Sequence, residues 1–143
     1  MEKELNMHYD NGFENKLEKS LLCLRLGVFL VMFMWTLDKF VNPEHALGVF
    51  EKFYFLGGFS KQLLFVLAGA EMLILGAFLI GYKKTLSYGF VLGFHFISTI
   101  SSYKQYLNPW QGASLLFFAA WPMLAACFAL FWLRDYDKRF SIT

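Results

Sequence analysis

Three ionisable residues lie inside long apolar stretches: Arg25, Glu71 and His95. In hydrocarbon such a side chain costs about 2.5–3.5 kcal/mol on insertion scales, so it needs a partner or a hydrated site. Glu71 lies ten residues before Gly81, and His95 lies ten residues after Thr85. At a rise of about 1.5 Å per residue, both are about 15 Å deep. A carboxylate and an imidazole at one depth are the parts of a proton-exchanging pair. His95, Ser98, Thr99 and Ser102 follow helical spacing and share one face. That polar stripe either lines a hydrated cleft or holds helices together by hydrogen bonds. Arg25 is five residues in from Ser20, about 7–8 Å from the end of its stretch. Side chains lean towards the N-terminus of their own helix, which turns Arg25 and Glu71 away from each other on antiparallel helices. Arg25 therefore either snorkels to the headgroups or finds a structural or functional partner.

The elements that must position these residues are four apolar stretches, roughly 20–37, 63–81, 86–103 and 113–133. Each approaches the ~20 residues needed to cross a hydrocarbon core. The composition agrees: 57% of the 143 residues are hydrophobic, 20% are aromatic and 17% are charged. Soluble domains are about 45–50% apolar and about 25% charged. The expected fold is an all-α integral membrane bundle of four transmembrane helices. Residues 1–19 form a polar N-terminal tail and 134–143 a short C-terminal tail, and no cleavable signal precedes the first span. The net charge of +2 is too small to indicate nucleic acid.

Basic residues orient the bundle. Eight lie on the side of the two tails and the 82–85 turn, against four on the other side (Lys39, Lys52, Lys61 and Lys104). That excess places both termini in the cytoplasm. Trp35, Trp110, Trp132, Tyr82 and Tyr103 fall near span ends, where interfacial aromatics belong.

The first external loop contains a short helix of its own. Asn42 is placed as its N-cap and Pro43 as its first residue. Leu47, Phe50 and Tyr54 recur on one side, with Val49 and Phe53 beside them. Glu44, His45, Glu51 and Lys52 make the polar side, and Gly57–Gly58 ends the run. This amphipathic helix lies on the interface or over the bundle mouth. Asp38, Glu44 and His45 are too few and too loosely spaced to specify a metal. Cys23 and Cys127 lie in apolar runs without ligand spacing, so no metal site is expected. Gly69 and Gly76, like Ala70 and Ala77, are seven apart and allow close helix packing, while Pro122 should bend the fourth span.

Arg25 early in the first span, Lys39 at its end, the Asn42-Pro43-Glu44 loop, and Glu71 followed by Gly76 and Gly81 together resemble the DoxX family. The likeness covers Leu21 to Leu133, without the charged N-terminal tail. It implies a small four-helix protein of the bacterial cytoplasmic membrane, acting as the membrane subunit or anchor of a redox complex. No haem pair, flavin fingerprint or other self-sufficient catalytic motif is present. A quinone is the cofactor such a role implies. Arg25, Phe94, Phe96, Ser98 and Ser102 would form its cleft, with Glu71 and His95 exchanging the proton. The alternatives are a non-enzymatic scaffold or assembly factor that docks a partner on residues 42–59, and a small carrier acting as a homo-oligomer.

Overall fold

In the computed structural model, the backbone is described for residues 2–54, 57–58 and 60–142, with side chains from Gly12 onward within those ranges. Among the described residues every regular element is helical. Helix α1 runs Glu2–Val41, α2 Pro43–Tyr54, α3 Lys61–Leu79, α4 Lys84–Ser101, α5 Tyr103–Leu107 and α6 Ala120–Trp132. Two 3-10 segments, Ser114–Ala119 and Arg134–Tyr136, flank α6.

Three helical stretches, Gly12–Val41, Lys61–Leu79 and Ser114–Trp132, are long and apolar enough to cross a membrane, which is consistent with an integral membrane protein. Within the four-span expectation, α4 is the stretch that falls outside this set. Its buried residues are Ser87, Tyr88, Val91, His95 and Thr99. Leu86, Phe90, Phe96, Ile97 and Ile100 are exposed. The inward polar groups lower its overall hydropathy, while its outer face is as apolar as those of its neighbours.

The four long helices pack in a ring: α1 on α3, α3 on α4, α4 on α6, and α6 back on α1. Leu21, Val28 and Met32 of α1, Leu75 and Phe78 of α3, Tyr88 and Val91 of α4, and Cys127 and Leu130 of α6 form the core. Trp35, Tyr82, Tyr103, Trp110 and Trp132 are all exposed at or near helix ends.

The polar N-terminal segment is helical. It continues α1 without a break from Glu2 through the apolar stretch. The fourth apolar stretch, expected as one bent helix, is divided into a 3-10 segment and α6, with Pro122 in the first turn of α6. Proline has no N–H and its ring crowds the carbonyl four residues back, so α-helical geometry cannot continue unbroken through Phe118.

The loop helix α2 begins where expected. The Asn42 carbonyl accepts from Ala46 N at 3.1 Å, the first helical bond, and Pro43 follows as the first helical residue. The Asn42 side chain does not cap that turn, however. It donates to Asp38 Oδ1 at 3.0 Å and so ties α2 back to α1. Leu47, Val49, Phe50, Phe53 and Tyr54 are half-buried, whereas Glu44, His45, Glu51 and Lys52 are exposed. The helix folds against α1, α3 and α4. Phe59, at the far end of the expected partner-docking loop, lies outside the described residues.

The glycines of the small-residue stripe do not take the packing role expected of them within this chain. A Cβ built on Gly69 or Gly76 meets nothing within 4 Å. These glycines therefore do not bring two helices of this chain together.

Candidate functional site

The three embedded ionisable residues occupy three separate places, each held by a different part of the chain. Ring contacts fix the axial registers from which this follows. Phe40 of α1 stacks on Phe65 of α3, with centroids 5.9 Å apart. Phe78 of α3 meets Tyr88 of α4 edge-on at 4.8 Å. The second contact keeps Glu71 and His95 level, as their positions in the sequence predict. Their directions differ. Glu71 forms an ion pair with Lys39 of α1, and His95 Nε2 lies 3.0 Å from the Ala120 carbonyl of α6. Among the described residues no hydrogen bond joins the two side chains, so the proton-exchanging pair is not assembled in this structure.

Lys39 and Glu71 meet because of the same leaning that separates Arg25 from Glu71. On antiparallel helices Lys39 points back along α1 and Glu71 points back along α3, which brings the two head groups together. The side chains are 18% and 13% exposed, so the pair is sheltered but not sealed. The Phe50 ring of α2 lies beside it, 5.9 Å from Lys39 Nζ. His45 Nδ1 contacts Asp38 Oδ2 at 2.6 Å, and Lys61 pairs with Glu44. Asp38 and Glu44 are thus drawn to different partners. No cluster of three metal-ligating side chains occurs among the described residues.

The polar stripe on α4 is turned inward and satisfied locally. Thr99 Oγ1 donates to the His95 carbonyl at 2.7 Å and Ser102 Oγ to the Ser98 carbonyl at 3.1 Å. Such bonds to the carbonyl four residues back let hydroxyls be buried in a helix. Phe94 packs on the core while Phe96 is exposed. Two residues apart on a helix is about 200° of rotation, so these rings face opposite ways and do not form one slot. Tyr106 packs against Phe118 and Trp121 at 5.3 and 5.6 Å. Burial raises its phenol above the ordinary tyrosine value, which keeps it protonated.

His95 consequently joins α4 to α6 by one hydrogen bond. Replacing it with leucine should cost about 1 kcal/mol, the net value of such a bond, in thermal unfolding in detergent. Glutamine at the same position should recover part of that loss. Equal stability of both variants and the parent would show that the bond contributes nothing.

Arg25 lies at the opposite end of the bundle from Lys39, and it neither snorkels nor approaches Glu71. It is fully buried, as is Asp137 beyond α6. Arg25 Nη1 is 3.5 Å from Asp137 Oδ2 and donates to Tyr88 Oη at 3.3 Å. Tyr88 Oη in turn donates to Asp137 Oδ2 at 2.6 Å. Arg25 Nη2 donates to the carbonyl of Arg139, with Phe140 O at 3.5 Å. The rest of the tail is fastened over this cluster. Ile142 N donates to Ile80 O at 3.0 Å, and Ser141 Oγ to Gly81 O at 3.3 Å. Arg139 reaches Asn15 of α1 at 3.2 Å. Arg25 Nε and Asp137 Oδ1 are buried without a partner among the described residues.

Arg25 is therefore far from Ser98 and Ser102. Ser98 is ten residues along α4 from its partner Tyr88, about 15 Å away. The expected quinone cleft of Arg25, Phe94, Phe96, Ser98 and Ser102 is not brought together. Sequence reasoning missed Tyr88 and Asp137, although one signal was present. Leu21, Arg25, Val28 and Met32 follow helical spacing, which puts Arg25 on the buried stripe of α1.

Chemically, the arrangement holds its polar groups in fixed partnerships: one ion pair near the loop end, one buried triad at the tail end, and a backbone hydrogen bond for the histidine between them. No family model, curated protein or solved structure matches this chain.

Proposed function

We propose that this chain is a partner-binding membrane subunit or scaffold: a DoxX-like, four-span protein of the bacterial cytoplasmic membrane with both termini inside. Its embedded ionisable residues hold the bundle together and leave any redox chemistry to a bound partner. The observation that carries this reading is that Arg25, Glu71 and His95 are each engaged by a different element. A proton exchanger at Glu71 would have to break the bond with Lys39 at every turnover. The four-span reading is supported by α4, which buries its polar residues and exposes its apolar ones. In water that distribution would be unfavourable, whereas in lipid it is the favourable one.

A redox-linked variant of the proposal, with quinone bound near Glu71, has one observation in its favour. The Lys39–Glu71 pair is incompletely covered and lies beside the aromatic side of α2. A partner seated on the α2 face would be next to it.

The test is purification of the tagged protein in gentle detergent, assaying the eluate for co-purifying proteins, quinone and flavin. Glu71→Gln is made in parallel. As a scaffold, the protein should emerge with a client, and Glu71→Gln should lower abundance or complex yield without a separate loss of turnover per complex. Normal abundance of Glu71→Gln together with lost quinone reduction would overturn the structural role and establish the redox-linked one.

A further inference from the structure

The last residues of the C-terminal tail bury little apolar surface. Phe140 and Ile142, their two large apolar side chains, are 81% and 66% exposed. Polar contacts hold the tail instead: the Asp137 carboxylate on Arg25 and Tyr88, the Arg139 carbonyl on Arg25, and hydrogen bonds from Ser141 and Ile142 to the chain just past α3. Phe140 also has left-handed backbone, with φ of +51°. For a bulky side chain that is an outlier. Such strain persists only where the surrounding contacts impose it, and it is relieved when they let go.

The seat beneath the tail suits an anion, and Asp137 uses it incompletely. One carboxylate oxygen, Oδ2, takes both the Arg25 guanidinium and the Tyr88 hydroxyl. The other, Oδ1, is buried with no partner among the described residues, and so is Arg25 Nε. The two groups therefore do not form the two-bond fork that makes arginine–carboxylate pairs strong. A carboxylate fixed to the path of the tail cannot turn to use both oxygens. A free one can.

We propose that Arg25 and Tyr88 form a binding seat for a small monocarboxylate, and that the tail is a displaceable strap whose Asp137 stands in that seat until such an anion replaces it. Charge selects the occupant. Arg25 brings one positive charge and Tyr88 none, so a monoanion is matched, whereas a dianion such as sulfate leaves a buried excess charge. The exchange puts one carboxylate in the place of another. Arg25 stays neutralised throughout, so opening the strap strands no buried charge. The entering anion gains the unused Nε, and the strain at Phe140 is released.

The experiment uses the full chain in detergent and limited trypsin digestion. Trypsin cuts after Arg139, whose carbonyl is bonded to Arg25 while the strap is closed. Mass spectrometry compares that cut with the one after Lys19, an exposed residue of α1 that serves as internal reference. Acetate is the probe, with chloride and sulfate at equal ionic strength as controls. Acetate should raise the Arg139-to-Lys19 ratio, by about ten-fold when present at ten times its dissociation constant for the open form. Chloride and sulfate should leave the ratio unchanged. Asp137→Asn keeps the side chain's shape and removes the competing charge. It should bind acetate about ten-fold more tightly than the parent, measured by NMR titration of labelled acetate. Should that variant fail to fold by circular dichroism, the ratio in the parent decides alone. The same ratio in acetate as in chloride, an equal effect of sulfate, or no gain in affinity in folded Asp137→Asn would each overturn the proposal.

Discussion

Arg25→Ala should be the most damaging single substitution in the protein, costing about 3–5 kcal/mol of stability, the range for stranding one half of a buried ion pair. Arg25 and Asp137 are both fully buried. Without the guanidinium, the Asp137 carboxylate keeps only the Tyr88 hydroxyl, and the Arg139 carbonyl loses its donor. Low yield of folded protein and a fall in unfolding temperature, followed by tryptophan fluorescence in detergent, are the expected readouts. The diagnostic companion replaces the whole triad, with Arg25→Met, Tyr88→Phe and Asp137→Leu in one chain. A buried charged cluster replaced by apolar groups of similar volume is often neutral or stabilising, so most of the lost stability should return. A stable triple variant that no longer supports its complex would give Arg25 a role beyond the fold. Stability of Arg25→Ala within about 1 kcal/mol of the parent would show that the buried triad is not what holds this end closed.

Gly81→Ala should be the next most costly change, for two separable reasons. The backbone at this position is left-handed, which costs an L-residue about 1–2 kcal/mol. A Cβ here would also lie 2.5 Å from Ser141 Oγ and 2.9 Å from Arg25 Nη1. The side chain cannot be accommodated unless the tail lifts, and that breaks the Ile142–Ile80 hydrogen bond, worth about 1 kcal/mol. Gly112→Ala is the control. Its φ is also positive, at +55°, but nothing lies within 4 Å of its added Cβ. Gly81→Ala should therefore destabilise more than Gly112→Ala and should render the C-terminal tail sensitive to protease. Equal losses in the two variants would mean that only backbone strain matters and that the tail is not clamped at Gly81.

Both predictions concern a corner of the molecule that sequence periodicity does not reach. Residues 134–143 are short, polar and aperiodic, and by composition they read as a solvated tail. In the structure they supply the carboxylate and carbonyls that bury an arginine. Tail-to-helix hydrogen bonds depend on where a non-repeating backbone is carried in space, and no spacing rule encodes that.

The axial match between Glu71 and His95 shows the same boundary from the other side. Counting residues from the ends of two adjacent spans predicted their common depth, and the Phe78–Tyr88 contact preserves that register. Depth along a helix is a local property, set by rise per residue. The direction in which each side chain faces is set by how the helices rotate against their neighbours. That rotation turned Glu71 to α1 and His95 to α6.

The register of α1 against α3 illustrates a third limit. Matching the ends of the apolar stretches sets Leu37 level with Leu63, which puts Arg25 near Leu75. The Phe40–Phe65 stack instead sets α1 about five residues deeper, a slip of about 8 Å that carries Arg25 to Gly81 and the tail. Hydrophobic stretches have soft ends and do not specify such a slip, whereas interlocking rings and the loop helix α2 do.

The sequence by itself determined the helical class, the apolar stretches, the start of α2 at Pro43 and the inward polar stripe of α4, because each depends on residue type and spacing along one segment. The tertiary structure alone decided that Lys39 takes Glu71, that Asp137 and Tyr88 take Arg25, and that the Ala120 carbonyl takes His95. Those partnerships depend on the slip and rotation of whole helices and the path of a tail, set jointly by packing across the entire bundle.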